Sequence, residues 1–207
     1  MKSKRNISKT KVEVTTPSSS EVVKYLEEWD SLENYVLQES SLRKLFTNTY
    51  PFNVEMDDVL IKVCALDNFY STNIYVPFVM AKHIVSLNID NRLHDDDYGL
   101  VNEIARVQVN GNYKNLYSFA TKYCSHHKPK VYPIYDSYVE QMLLCLKAKD
   151  KFANFLPEDL KQYPLYRNIL IEFQHYYHLE KFDLKEIDKY LWQVGKKCFP
   201  KKYNKTK

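Results

Sequence analysis

The chain has 207 residues, of which 44% are hydrophobic and 27% charged, and these proportions predict a folded domain with a packed core. Its three glycines are too few for a dinucleotide-binding fingerprint, a phosphate-binding loop or a turn-rich β-sandwich. No run approaches about 18 consecutive apolar residues, which excludes a membrane-spanning helix. The charged first residues lack the apolar core of a secretory signal. We therefore expect a cytoplasmic, all-α protein with no membrane partner.

Charge is unevenly distributed along the chain. The formal net charge is +4, but residues 1–20 carry +4 and residues 196–207 carry +6, which leaves residues 21–195 at −6. Within this acidic middle, residues 104–135 contain five Lys or Arg side chains and no acid. Such a segment suits contact with phosphate, and a solvated surface is the alternative interpretation.

The cysteines and histidines do not form a recognisable metal motif. Cys64, Cys124 and Cys145 lie among apolar residues at helical spacing, which predicts small core side chains in a reducing compartment. His175 and His178 have a spacing that can share a metal ion, but a Tyr- and His-rich amphipathic helix face is the favoured interpretation. We therefore predict no metal and no cofactor.

Apolar spacing predicts nine helices in one domain of residues 20–195, between a disordered basic tail of residues 1–19 and a basic tail of residues 196–207. Ser18 with Glu21 fits a capping box, Asn53 is a candidate cap, and Pro77 is expected in the first turn of a helix. One of these nine helices is expected to start near Tyr113, which is predicted to be the first residue of its buried face. The only candidates for short strands are residues 107–109 and 130–132.

Residues 116–139 combine an amine with a possible acid–base partner. Ser118 and Lys122 are spaced to share one face of a helix, and Asp136 opens the next helix after a proline-bounded loop. A partly desolvated lysine beside a carboxylate can act as a nucleophile. A solvent-facing lysine and a helix-capping aspartate are the alternative interpretation.

Two segments resemble the helix-hairpin-helix DNA glycosylase superfamily, which includes endonuclease III-like and 8-oxoguanine glycosylases. Residues 65–74, ALDNFYSTNI, are similar to an apolar helix that ends in polar residues before Thr or Asn starts the next helix. Residues 133–139, PIYDSYV, are similar to the signature that carries the catalytic aspartate. The resemblance covers residues 54–148 and implies a two-lobed helical bundle.

The chain departs from this family at three places. The turn before the second hairpin helix has no glycine, and Gly111 lies upstream of it. The family's lysine corresponds to Ser118 if the loop length is unchanged, and to Lys122 if the loop is about one helical turn shorter. Tyr138 stands where the family's signature has His.

The resemblance implies that a damaged base is flipped out of duplex DNA and excised by a DNA N-glycosylase/lyase. Asp136 would stabilise positive charge on the sugar, and Lys122 would form a Schiff base with it. The implied base pocket contains Tyr70, Tyr135 and Tyr138, whereas Phe69 is expected in the core. The implied nucleic-acid contacts are Lys114, Ser118, Lys128 and Lys130.

Two other functions stay open. A non-enzymatic helical interaction module that keeps the fold is favoured by the charge of −6 in residues 21–195. An enzyme that acts on a free nucleotide ranks last, because the chain lacks a phosphate-binding loop.

Overall fold

The computed structural model describes residues 14–200, which form ten α-helices and one two-stranded sheet. This composition confirms the mostly helical fold class. The helices are α1 (Ser19–Asp30), α2 (Glu33–Arg43), α3 (Met56–Tyr70), α4 (Pro77–Ser86), α5 (Ile89–His94), α6 (Leu100–Ala105), α7 (Tyr117–His127), α8 (Ser137–Asp150), α9 (Tyr163–Tyr176) and α10 (Leu184–Cys198). A π-helical turn (Lys44–Thr49) follows α2, and a 3₁₀ helix (Pro157–Lys161) precedes α9.

Two side-chain caps and one proline fix the starts of three helices. Ser18 Oγ accepts a hydrogen bond from the Glu21 amide at 3.3 Å, as the sequence predicts for α1. Asp183 and Glu186 form a reciprocal capping box at the start of α10. Pro77 lies in the first turn of α4, where its missing N–H leaves no helical bond unmade.

The folded body extends into the residues of both predicted tails. Val14 is buried and its carbonyl accepts a hydrogen bond from Lys149 at 2.8 Å, so residues 14–19 pack on the folded body. Helix α10 continues to Cys198 because its C-terminal lysines find partners, among them Glu28 at 2.6 Å from Lys197. The rest of the two tail predictions, residues 1–13 and 201–207, lies outside the described residues.

The helix predicted from Tyr113 onward is instead a β-hairpin followed by α7. Strands β1 (Arg106–Val109) and β2 (Asn112–Asn115) pair antiparallel around Gly111, whose φ of +78° suits a tight turn. Tyr113 is 63% exposed and stacks on the Arg106 guanidinium rather than on the core. Residues 107–109 are strand as predicted, whereas residues 130–132 lie in a turn and bend.

Asn53 does not cap α3, because Glu55 occupies the N-cap position. Its side chain is buried and joins three elements instead. The Asn53 Oδ1 accepts hydrogen bonds from the fully buried Lys62 at 2.7 Å and from Tyr123 at 2.6 Å, and its amide donates to Asp90 at 2.5 Å. This network holds the loop before α3 against α7.

Helix α7 lies at the centre of the fold. Nine of its 11 residues are buried, and the helix packs against α6, α3 and α2. Cys124 on α7 is buried as predicted, but Cys64 faces outward from α3 and Cys145 is half-buried. The central position of α7 carries its lysine, Lys122, into the interior.

Candidate functional site

A cavity of about 680 Å³ lies between α3, α7, the start of α8, α10 and the α1–α2 pair, and we call it the main cavity. The structure brings Lys122 and Asp136 together on its wall. Its aromatic lining comprises Trp29, Tyr35, Phe69, Tyr70, Tyr138 and Trp192, and its charged lining comprises Lys122, Asp136, Lys185, Asp188, Lys189 and Lys196.

Lys122 is an interior residue with only 4% of its surface exposed, so the interpretation as a solvent-facing lysine is wrong. Its ammonium donates to Ser118 Oγ at 2.6 Å and to the Tyr135 carbonyl at 3.3 Å. The ammonium also lies 5.3 Å from the centre of the Tyr70 ring. These contacts fix the amine at the boundary of the main cavity.

Asp136 is both a helix cap and a cavity residue. Its carboxylate accepts a hydrogen bond from the Tyr138 amide at 2.7 Å at the start of α8, as the capping interpretation predicts. The same side chain is half-buried and lines the main cavity. The cap therefore orients the carboxylate toward the space that Lys122 borders.

An ion-pair cluster lies where α10 borders the main cavity. Lys185 on α10 lies 3.3 Å from Glu39 and 3.8 Å from Asp188, and Lys189 lies 2.8 Å from Glu39. Burial raises the pKa of Asp188 to about 7, although Lys185 and Lys122 act to lower it. Asp188 therefore changes its charge near neutral pH, on the wall of the cavity.

The tyrosines predicted for a base pocket divide between two adjoining cavities. Tyr70 and Tyr138 line the main cavity, and Tyr70 also hydrogen-bonds His126 at 3.0 Å. Tyr135 lines a second cavity of about 460 Å³, which shares Lys122 and Asp136 with the main one. The prediction that Phe69 is a core residue is wrong, because this ring is 38% exposed on the cavity wall.

The four predicted nucleic-acid contacts are not part of the main cavity. Ser118 lines the second cavity and holds Lys122. Lys128 pairs with Asp96, and Lys130 lies 3.2 Å from Asp183, so carboxylates from distant parts of the chain pair with two of the five cations of the acid-free segment. Lys114 is exposed on β2.

The sequence-based predictions missed the contribution of α10. Lys185, Lys189, Trp192 and Lys196 follow one another at intervals of four, three and four residues, which places them on one face of the helix. The signal was present as a basic and aromatic stripe on a helix whose other face is apolar. The sequence does not reveal that this stripe lies opposite Lys122.

Within residues 14–200, no three or more His, Cys, Asp or Glu side chains are grouped so as to hold a metal ion. Each helix in this part of the chain is too short or too polar to cross a lipid bilayer.

Comparison with known proteins identifies the family. An uncharacterized protein of Haemophilus influenzae (strain Rd) is 47% identical over 150 residues, which are 72% of this chain and 72% of the relative. No solved structure matches the chain. The family model HI_0787_N, described as an N-terminal domain, matches residues 21–131, which include Lys122 but neither Asp136 nor α10. The chain therefore belongs to the HI_0787_N family.

Proposed function

We propose that this protein is a divergent DNA glycosylase-like enzyme that binds duplex DNA and excises a damaged base in the main cavity. The observation that carries the proposal is that a buried amine, Lys122, and a capping carboxylate, Asp136, line the wall of one aromatic cavity. A lysine withdrawn from water beside a carboxylate is the arrangement that amine nucleophiles use.

The shape and lining of the cavity suit a nucleobase. Its volume of about 680 Å³ lies in the range of small-molecule sites. Trp192 stands edge-on to Trp29 at 5.8 Å and to Tyr35 at 5.2 Å, which builds a rigid aromatic wall. Stacking on such rings contributes about 1–3 kcal/mol per base and offsets the cost of flipping the base out of the duplex.

The charge of the cavity suits a polyanion. Four lysines and two aspartates line it, an excess of two cations, although residues 21–195 as a whole are acidic. A cleft of one charge sign concentrates field lines and attracts a ligand of the opposite charge. The phosphates that flank a flipped nucleotide would supply that charge.

In the proposed reaction, the deprotonated Lys122 amine forms a bond to C1′ of the sugar while the bond from C1′ to the base breaks. The base leaves with the electron pair and takes up a proton, and Asp136 stabilises the positive charge that develops on the sugar. The nitrogen bonded to C1′ then loses a proton to solvent, the bond between C1′ and O4′ breaks while O4′ takes up a proton, and the opened sugar stays joined to Lys122 as a protonated Schiff base. Ser118 Oγ, 2.6 Å from the amine, acts as a positioning group.

The proposal includes a likeness to the helix-hairpin-helix glycosylases in fold. The order of elements supports this likeness, because a β-hairpin follows α6 and leads directly into α7, the helix that carries Lys122. The hairpin here is a β-ribbon with a single glycine, Gly111, so its contact with phosphate would differ from the glycine-rich turn of that superfamily.

Borohydride trapping on duplex DNA that carries a panel of single lesions tests the proposal. The wild type should give a covalent adduct, and Lys122→Gln should give none. Asp136→Asn keeps a good helix cap and should stay folded, but it should lose excision. Lys82→Gln on the exposed face of α4 serves as the matched control. An adduct that persists in Lys122→Gln contradicts the assignment.

A non-enzymatic interaction module with the same fold is the second candidate. It is favoured by the ion pairs of Lys128 and Lys130, which leave these lysines less available to phosphate. Absence of affinity for duplex DNA at low salt would support this candidate and would overturn the glycosylase proposal.

A further inference from the structure

Two smaller cavities continue the main cavity along α10. One, of about 330 Å³, shares Lys185 and Lys189 with it and reaches Arg43. The other, of about 350 Å³, shares Trp192 and Lys196 with it on the far side. We call the three together the α10 groove. From position 185 to position 196 the helix rises about 16 Å, which corresponds to about five phosphate spacings along one strand of B-form DNA.

The cations of this groove are incompletely neutralised by protein carboxylates. Glu39 serves both Lys185 and Lys189. Lys196 donates to the Tyr35 hydroxyl at 2.7 Å, and none of the salt bridges within residues 14–200 includes it. By contrast, Lys130 and Lys197 at the two ends of the groove each pair with a carboxylate. Lys185 and Lys189 face two carboxylates, Glu39 and Asp188, so among the α10 lysines that line the groove Lys196 is the one outside the salt bridges of residues 14–200.

Aromatic rings alternate with these cations. The Lys189 ammonium lies 4.9 Å from the Trp29 ring centre, and the Lys196 ammonium lies 4.7 Å from the Trp192 ring centre. A basic groove interleaved with aromatic rings follows the backbone of a nucleic-acid strand and stacks its unpaired bases. An acidic peptide would use the cations but would leave the rings without a stacking partner.

We infer that the α10 groove binds the DNA strand that carries the target nucleotide, with phosphates at Lys189 and Lys196 on either side of the main cavity. This inference rests on the proposed function. Of the four contacts expected from sequence, only Lys130 lines this groove, at one end, so the inference moves the main strand contact to one face of the last helix.

The test measures the affinity for duplex DNA with a tetrahydrofuran abasic analogue as a function of salt, by fluorescence anisotropy. Lys189→Gln and Lys196→Gln should each reduce the slope of log K against log salt by about 0.9, because one phosphate contact is lost. Lys196→Arg keeps the charge and should retain the wild-type slope. Lys82→Gln, outside the groove, should also retain it.

Unchanged slopes in both Gln variants would overturn the inference. If the borohydride adduct still forms in that case, the proposed function stands without it. Binding to polyglutamate with the same dependence on Lys189 and Lys196 would assign the groove to an acidic protein partner and would overturn the inference. Absence of DNA binding by the wild type at low salt would overturn both the inference and the proposed function.

Discussion

Ser118 holds the Lys122 amine through a hydrogen bond of 2.6 Å between two side chains one turn apart on α7. Ser118 and Lys122, the two residues that could correspond to the lysine of the glycosylase superfamily, are therefore in direct contact. Ser118 also donates to the Tyr135 carbonyl at 3.3 Å, so the hydroxyl links α7 to the loop that leads to Asp136.

Ser118→Ala should slow formation of the borohydride-trapped adduct by about tenfold, because the loss of one hydrogen bond to a charged group is worth about 1.5 kcal/mol. Ser118→Thr retains the oxygen and should keep most of the rate. Single-turnover trapping provides the measurement, and thermal unfolding confirms that both variants fold. A wild-type rate in Ser118→Ala would exclude a positioning role.

Gly195→Ala should destabilise the protein by about 1–3 kcal/mol, because the added methyl group overpacks the contact between α10 and α8. A Cβ at this position would lie 2.7 Å from the Tyr138 carbonyl oxygen and 2.9 Å from its Cβ. Denaturant unfolding measures the change. Gly99→Ala is the matched control, since its Cβ would meet one side-chain oxygen, of Asp97, at 3.2 Å, and no backbone atom, and we expect a change within about 0.5 kcal/mol. Equal free energies of unfolding for the two variants would contradict the close contact between Gly195 on α10 and Tyr138 on α8.

His127→Phe should reduce the loss of stability in acid. Burial lowers the pKa of His127 to about 3, with a further contribution from Lys62. Its Nε2 has no hydrogen-bond partner within the described chain, and it packs against the Phe46 ring at 5.1 Å. Since the folded pKa lies below the ordinary value of 6.5, the unfolded state binds the proton first as pH falls, and stability decreases below about pH 6.5.

The free energy of unfolding should therefore fall by about 2 kcal/mol less in His127→Phe than in the wild type between pH 6.5 and 5. His126 has a similarly lowered pKa, whereas the raised pKa of Asp188 acts in the opposite direction, so the difference between variant and wild type is the informative quantity. Parallel pH curves for the two proteins would contradict a buried neutral His127.

Asp188→Asn should remove a pH dependence of DNA binding. Because the pKa of Asp188 is raised to about 7, its carboxyl group is mostly neutral at pH 6 and mostly ionised at pH 8. The ionised form offsets the charge of Lys185 and Lys122 and repels phosphate, so the wild-type affinity should fall as pH rises. Fluorescence anisotropy at constant ionic strength measures the affinity for DNA at each pH. Glu158→Gln, at an exposed position, is the matched control. If Asp188→Asn and the wild type showed the same pH dependence of DNA binding, the account would be contradicted.

The features predicted correctly from sequence depend on local interactions. Ser18 and Asp136 cap helices through hydrogen bonds from amides three and two residues away, and Pro77 starts α4 through its own ring geometry. Such contacts are encoded within a few residues and need no knowledge of the fold.

The errors arise where distant segments meet. Lys128 and Lys130 belong to an acid-free segment, but Asp96 and Asp183 reach them in space. Trp29 and Trp192 come from opposite ends of the chain and form one wall of the main cavity. Helical periodicity reports which face of a helix is apolar, and it does not report which helix packs opposite a polar face.

The most direct test of the central claim is to locate the bond between protein and DNA. After borohydride reduction on lesion-bearing duplex, the adduct is digested and the modified peptide is sequenced by mass spectrometry. The account predicts one modified residue, Lys122, on the peptide that contains α7. A modification at another lysine, such as Lys185 or Lys196 on the same cavity wall, would contradict it.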